Sequence, residues 1–124
     1  MNLLLDTHAL LWWLAGAPMD ADARARISDP TALVVVSAAS VWEVAVKQAL
    51  GRLSFEGSMV DHVEHGDFEP LPISLRHAER AGRLPPHHRD PFDRMLVAQA
   101  QAEALTLVTR DPAFDAYEVE VLRC

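Results

Sequence analysis

Four acidic side chains could do chemistry together, because each lies beside a segment that reads as buried. They are Asp6, Glu43, Asp93 and Asp111. Asp6 directly follows the apolar run Leu3–Leu5, and Asp111 comes just after the apolar run Leu105–Thr109. Acids at the carboxyl ends of buried parallel strands lie where open α/β sheets place their ligand sites. Carboxylates that converge on one spot repel each other unless a cation lies between them.

A hard divalent cation fits this set of residues better than a softer metal. Mg²⁺ and Mn²⁺ prefer oxygen ligands and need neither histidine nor cysteine. A pair of such ions about 4 Å apart can activate water and stabilise the leaving oxygen of a phosphodiester. We therefore predict that the four acids bind metal and catalyse hydrolysis of a phosphate ester.

Each of the four acids also has an ordinary structural explanation. Asp93 can be an acid in the first turn of a helix, where the helix dipole favours negative charge. Asp6 can simply cap the helix that follows it. Glu43 can be a solvated ion-pair partner of Lys47, four residues further on. Asp111 precedes a proline and can form a turn. The metal interpretation therefore depends on the acids meeting at one edge of the sheet, and not on any one of them alone.

The clearest helix of the chain begins at Asp90, an N-cap residue that is followed by proline. Asp93 shares a face of this helix with Leu96 and Val97, so it points towards the sheet, where an acid needs a partner. Other side chains can support the cluster by hydrogen bonding, and these are Thr7, Asp90 and Thr109.

Short apolar runs alternate with helical segments in the order β-α-α-β-α-(α)-β-α-α-β-β. This order predicts a three-layer α/β/α fold, with a mostly parallel sheet of about four or five strands and helices on both faces. The third strand contains two prolines, which cannot donate to a ladder, so it belongs at an edge. The expected strands are Leu3–Leu5, Thr31–Ser37, Phe68–Ser74, Leu105–Thr109 and Val119–Leu122.

Three local predictions bear on the proposed site. A helix capped by Ser37 or Ser40 is expected to run to about Leu50, and its buried stripe is expected to comprise Trp42, Val46, Ala49 and Leu50. His87 and His88 lie in a proline-rich loop, so we expect them to be solvated. Between residues 52 and 66 the pattern is weak, with a helix expected over about 56–65.

Size and composition favour one globular domain over residues 1–124. The formal charge of −7 argues against nucleic-acid binding by general phosphate neutralisation, although arginines crowd the C-terminal half. One cysteine, Cys124, allows no intramolecular disulfide, and no signal peptide or membrane anchor is apparent, so a cytoplasmic protein is expected. The clustered arginines are Arg76, Arg80, Arg83, Arg89, Arg94 and Arg110.

Four motifs in order along nearly the whole chain closely resemble the PIN-domain toxins of VapC type. The first is Asp-Thr-His-Ala-Leu-Leu-Trp-Trp, and the last is Leu-Val-Thr-Arg-Asp. The segments that carry the resemblance are Asp6–Trp13, Ser40–Lys47 with Gly51–Leu53, Asp90–Leu96 and Leu107–Asp111.

The resemblance implies a Mg²⁺-dependent endoribonuclease, with Mn²⁺ as a possible substitute, that is the toxin of a bacterial type II toxin–antitoxin pair. By motif, Asp6, Glu43 and Asp93 match the three core acids of the family, Asp111 matches a more variable fourth, and Asp90 is a companion. The resemblance also implies a strand order of 3-2-1-4-5, a homodimer and a VapB-type antitoxin as partner. The RNA substrate would be contacted by the metal and by local arginines such as Arg94 and Arg110.

Two other function classes stay open at this point. One is a PIN-like module that binds a partner without catalysis, and the absence of metal binding would favour it. The other is an aspartate-based phosphatase with Asp6 as nucleophile, similar to haloacid-dehalogenase-like enzymes. That family has a second acid two residues after the first, where this chain has His8.

Overall fold

The structure is a computed structural model that describes residues 1–124. Five short strands form one sheet, and six α-helices and a 3₁₀ turn connect them. The strands are β1 (Asn2–Leu5), β2 (Leu33–Ser37), β3 (Glu69–Leu71), β4 (Thr106–Thr109) and β5 (Val121–Arg123). The helices are α1 (Thr7–Ala15), α2 (Ala21–Ser28), α3 (Ala38–Ala49), α4 (Met59–His65), α5 (Leu75–Arg83) and α6 (Pro91–Glu103), and the 3₁₀ turn spans Pro112–Ala116.

Every strand pair in the sheet is parallel, and the strand order is β3-β2-β1-β4-β5. This confirms the predicted α/β fold, the strand order 3-2-1-4-5 and the edge position of the proline-containing strand. The chain first winds outwards from β1 to β3 and then returns to β4 on the other side of β1. The winding therefore reverses between β1 and β4, and a crevice forms there at the carboxyl ends of the strands.

Side chains of the central strand alternate between two apolar layers. Leu3 and Leu5 pack with α1, α2 and α4 on one face, whereas Leu4 packs with α6 on the other. All three leucines are fully buried. Because both faces of the sheet are covered, the strands need continuous apolar runs, and this accounts for Leu3–Leu5 and Val34–Val36.

The predicted buried stripe of α3 is wrong. Trp42 is 58% exposed and Leu50 is 61% exposed, whereas the buried face of the helix carries Ala39, Ser40, Glu43 and Val44. The prediction placed the large side chains of α3 in the core. The helix instead turns its small and acidic residues towards α1 and α6. In the weakly patterned region the helix α4 begins at Met59, capped by Ser58. No helix has the length and apolar character that a membrane span requires.

Candidate metal centre

Asp6 is held at the reversal point by the strand that precedes it and the helix that follows. Its backbone N–H donates to the carbonyl of Val108 on β4, at 3.0 Å, which ties the end of β1 to the neighbouring strand. Its carboxylate caps α1 by accepting the N–H of Ala9 at 2.7 Å, and its other oxygen accepts the hydroxyl of Thr109 at 2.6 Å. Asp6 is 4% exposed, and burial raises its pKa although both hydrogen bonds act in the opposite direction.

Glu43 reaches the same region from the buried face of α3. One carboxylate oxygen accepts the hydroxyl of Thr7 at 2.6 Å, and the other lies 2.5 Å from Nζ of Lys47. The ion pair with Lys47 considered from the sequence does form, but it is not solvated, since Glu43 is 2% exposed. The hydrogen bond to Glu43 is also the main cause that raises the pKa of Lys47.

Asp93 lies in the first turn of α6, which begins as the sequence predicts. Asp90 caps this helix, and one of its oxygens accepts the N–H groups of Phe92 at 2.8 Å and Asp93 at 3.3 Å. The Asp93 side chain is 19% exposed. Burial, followed by the negative charges of Asp90, Glu43, Asp6 and Asp111, raises the pKa of Asp93 to about 8.

Asp111 is the most open of the four acids, with a side chain that is 45% exposed. It follows β4 and caps the 3₁₀ turn by accepting the N–H of Ala113 at 2.9 Å. Its own N–H donates to the hydroxyl oxygen of Thr109 at 3.0 Å. Thr109 therefore links Asp6 and Asp111, because one hydroxyl donates to the first residue and accepts from the second.

His88 was expected in solvent, but its imidazole lies against the acids and its side chain is only 17% exposed. Nδ1 accepts the N–H of Asp90 at 3.2 Å, so the proton of the neutral ring is on Nε2. Nε2 lies 2.9 Å from Oδ2 of Asp93 and 3.6 Å from Oδ2 of Asp111. These approaches are not aligned as hydrogen bonds, which leaves the buried Nε2 without a hydrogen-bond partner.

Composition and helical periodicity did not indicate that His88 lies beside the acids, because a histidine in a proline-rich loop is expected to face solvent. The signal that does exist is its position two residues before the N-cap of α6. From there a ring nitrogen can accept the N–H of Asp90 while the other nitrogen turns towards the first turn of the helix.

The two arginines predicted to contact substrate have structural partners. Arg94 donates to the backbone carbonyls of Ala81, Leu84, Pro85 and His88 at 2.9–3.3 Å, so it holds the connection between α5 and α6. Arg110 donates to the carbonyl of Pro18 at 2.8 Å, and its guanidinium carbon lies 3.9 Å from the ring centroid of Trp12. Their role in binding substrate stays a prediction, and the geometry assigns both arginines to fixing loops.

The acids differ in how closely they approach one another. Single ligand atoms of His88, Asp93 and Asp111 all lie within 4.8 Å of one another. Asp6 and Glu43 flank this group, each fixed by a threonine hydroxyl, and their charges act on Asp93. In this ring orientation Nε2 of His88 carries a proton and is not free to bind a metal ion. The atoms left to bind one are carboxylate oxygens, which suit Mg²⁺ or Mn²⁺.

A model of the PIN domain family matches residues 3–120. This chain belongs to the PIN domain family. The match covers β2, β3, β4 and all of β1 except Asn2, ends just before β5, and includes all four acids of the site. No curated protein matches the sequence.

Solved structures with the same fold come from toxin–antitoxin systems. VapBC2 from Rickettsia felis, solved with a promoter DNA fragment, has a TM-score of 0.74 and 14% identity, with 99% of this chain and 98% of that chain covered. DNA-bound VapBC from Salmonella typhimurium gives 0.71, 17% identity and the same coverage. VapBC-5 from Mycobacterium tuberculosis gives 0.66, 23% identity and again 99% and 98%. At these identities the likeness establishes the fold of this PIN domain over nearly its full length.

Proposed function

We propose that this PIN domain is a Mg²⁺- or Mn²⁺-dependent endoribonuclease and the toxin of a bacterial type II toxin–antitoxin pair. The observation that carries the proposal is the environment of Asp93, a partly buried carboxyl that lies within 4.8 Å of Asp111 and whose pKa is raised to about 8 by burial and by four neighbouring acids. A bound divalent cation relieves such repulsion and restores the carboxylates to their charged form. Hard cations with oxygen ligands are suited to hydrolysis of phosphodiesters.

In this proposal Asp6, Glu43, Asp93 and Asp111 hold the metal. When bound, the metal supplies activation of a water molecule and stabilisation of charge on the phosphate. Thr109 orients Asp6, and Thr7 orients Glu43, each through a hydrogen bond of 2.6 Å. Preorganised ligands of this kind avoid the cost of rearranging when substrate arrives.

The proposals that the substrate is RNA and that the protein is a toxin depend on other observations than those that support the metal centre. They rest on the four motifs that resemble VapC-type toxins, and the solved relatives from toxin–antitoxin systems support them. An antitoxin and a second copy of the chain are the partners that this role requires, and the cytoplasm is its location. Exposed apolar side chains such as Leu75 (91%), Leu50 (61%) and Trp42 (58%) are consistent with protein contacts.

The direct test is cleavage of RNA by the purified chain in Mg²⁺ or Mn²⁺. Asp6→Asn and Asp93→Asn keep the size of the side chain and remove its charge, so we expect each to lower kcat/KM roughly a thousandfold, about 4 kcal/mol of transition-state stabilisation. Asp67→Asn, at an exposed acid in the α4–β3 connection, is the matched control and should cut like the wild type. Cleavage that survives both site substitutions would reject this metal centre.

The two alternative functions make different predictions in the same experiments. A non-catalytic PIN module would show no heat of Mn²⁺ binding in calorimetry. An aspartate-based phosphatase would form a hydroxylamine-labile phosphoenzyme at Asp6. The geometry disfavours the phosphatase, because both oxygens of Asp6 already accept hydrogen bonds and His8, in the place of the second acid, lies beside the ring of Trp12.

A further inference from the structure

We propose that a cleft beside α5 binds the sugar–phosphate backbone of an RNA strand that extends from the acidic centre. This inference rests on the proposed ribonuclease function and names where the rest of the substrate lies. The cleft has a volume of about 810 Å³ and runs between α5, the start of the α5–α6 connection, α6 and the 3₁₀ turn. We call it the arginine cleft; the lining residues that matter here are Arg76, Arg80, Arg83, His87, Gln101 and Tyr117.

The arginines of the cleft form one stripe on the exposed face of α5. Arg76, Arg80 and Arg83 are spaced four and three residues apart, so their side chains lie on the same side of the helix. Arg83 is ion-paired with Glu79 at 3.4 Å, but Arg76 and Arg80 have no carboxylate within 4.0 Å. Two guanidinium charges are therefore unpaired in a chain whose formal net charge is −7.

The cleft is positive where the chain as a whole is negative. Its lining carries three arginines and two glutamates, Glu79 and Glu118, so its net charge is +1 before His87 is counted. Arg80 also donates to the side-chain oxygen of Gln101 at 3.2 Å, which fixes its guanidinium at the wall of the cleft. Guanidinium groups bind phosphate in a bidentate way and are favoured wherever a polyanion is recognised.

The cleft and the acidic centre share one loop. His87 faces the cleft, where its ring lies 5.2 Å from that of Tyr117, while the next residue, His88, faces Asp93 and Asp111. Two consecutive residues of the same loop therefore border the cleft and the acidic centre. The Tyr117 hydroxyl fixes this loop, because it accepts the N–H of His88 and donates to the carbonyl of Pro85, both at 2.9 Å.

RNA fits the cleft better than an acidic peptide does, because of this continuity. A strand cut at the acidic centre must continue past it, and the cleft begins on the other side of His87–His88. His87 is exposed and offers a flat ring on which an unpaired base can stack. Unpaired arginines beside an aromatic group are the usual surface for single strands.

The test measures binding of a fluorescein-labelled oligouridylate about twelve nucleotides long, without divalent metal, at several KCl concentrations. Arg76→Gln combined with Arg80→Gln removes the two unpaired charges. We expect affinity near 0.1 M salt to fall about tenfold, and the slope of log affinity against log salt to become shallower by about 1.4, since each phosphate contact on a single strand contributes about 0.7. In cleavage assays with Mg²⁺ the same variant should raise KM and leave kcat unchanged.

Two control proteins separate charge from folding and from position. Arg76→Lys combined with Arg80→Lys keeps both charges and should restore the salt slope. Arg26→Gln removes one charge on α2, beside Met1 at the amino end of β1, and should bind RNA like the wild type. Circular dichroism checks that each variant is folded; both cleft arginines are exposed, so we expect native spectra.

The outcomes distinguish this inference from the proposed function. If the wild type cuts RNA and the double glutamine variant binds and cuts identically, the cleft is not an RNA site and the nuclease proposal stands. If the wild type cuts no RNA but the salt slope changes as expected, the nuclease proposal fails and the cleft remains an RNA site. If RNA binding is unchanged and only an oligoaspartate peptide loses affinity for the variant, the cleft binds acidic peptides and the inference is overturned.

Discussion

Helix α6 carries two polar clusters that are built from similar parts and satisfied to different degrees. Near its middle, the fully buried Gln99 accepts the hydroxyl of Ser37 at 2.5 Å and donates to the carbonyl of Pro72 and towards Nδ1 of His77, each at 3.3 Å. At its amino end, Asp93 lies among carboxylates that repel it. The first cluster pairs neutral donors with acceptors, whereas the second gathers negatively charged carboxylates around Asp93.

Each of the two clusters contains one histidine, and the two histidines can be compared directly. In both, Nδ1 accepts a backbone N–H, from Ser74 to His77 at 3.1 Å and from Asp90 to His88 at 3.2 Å. In both, Nε2 is turned to a carboxylate at 2.9 Å. His77 makes an aligned hydrogen bond to Glu103, whereas Nε2 of His88 has no aligned partner. A satisfied polar cluster stabilises the fold, while an unsatisfied one is typical of a binding site.

The largest effect should come from breaking the satisfied cluster. Gln99→Leu keeps the volume but leaves the Ser37 hydroxyl without its acceptor and the Pro72 carbonyl without the Gln99 donor, so we expect the free energy of unfolding to fall by about 3 kcal/mol. Chemical denaturation in urea measures this change. Gln101→Leu, two residues further on the same helix and only half-buried, should cost less than about 1 kcal/mol. Equal costs at the two positions would contradict the assigned role of Gln99.

In the acidic cluster a substitution should have the opposite effect on stability. Without metal, replacing Asp93 should favour the folded state increasingly as pH rises. The pKa of Asp93 is raised from 3.8 in the unfolded chain to about 8 in the folded one, so the folded state binds more protons between these values. The contribution of Asp93 to stability is therefore fully present below pH 3.8 and is lost as pH rises towards 8. Urea denaturation of the wild type and of Asp93→Asn over pH 5–8 measures it, and the stability difference between the two should shift in favour of the variant as pH rises. A difference that does not change with pH would mean that Asp93 titrates normally.

The smallest effect should come from removing the hydrogen bond that orients one proposed metal ligand, Asp6. Thr109→Val removes the hydroxyl that donates to Asp6, a bond that lowers the pKa of this buried carboxyl. We expect the unfolding free energy to fall by about 1 kcal/mol, and the affinity for Mn²⁺ to fall roughly tenfold. Calorimetric titration with Mn²⁺ measures the affinity. Thr106→Val, at the other end of β4 where the hydroxyl contacts Glu120, is the control and should bind Mn²⁺ normally.

Much of the fold could be predicted, because it follows from local sequence. Buried runs such as Leu3–Leu5 predict central strands, and Asp90 followed by proline predicts the start of α6. Each of these signals depends on residues that are close in the chain. The sheet order came from the family resemblance and not from the runs themselves.

Details that depend on distant packing could not be predicted in this way. Trp42 is larger and more apolar than Ser40, yet Ser40 is buried, since α3 packs closely on α1 and pairs Glu43 with Thr7. His88 reads as solvated because nothing near it in the sequence shows that its loop folds over Asp93 and Asp111. The role of the four acids as metal ligands stays a prediction that the geometry supports.

The central claim is that the four acids share a divalent cation, and thermal unfolding with and without Mn²⁺ tests it most directly. For the wild type near pH 7.5, Mn²⁺ at about 100 times its dissociation constant should stabilise the fold by about 2.7 kcal/mol and raise Tm by roughly 10 °C. Asp93→Asn should be at least as stable as the wild type without metal and should gain little from Mn²⁺. A wild type that gains nothing from Mn²⁺, or a variant that gains as much as the wild type, would contradict the account.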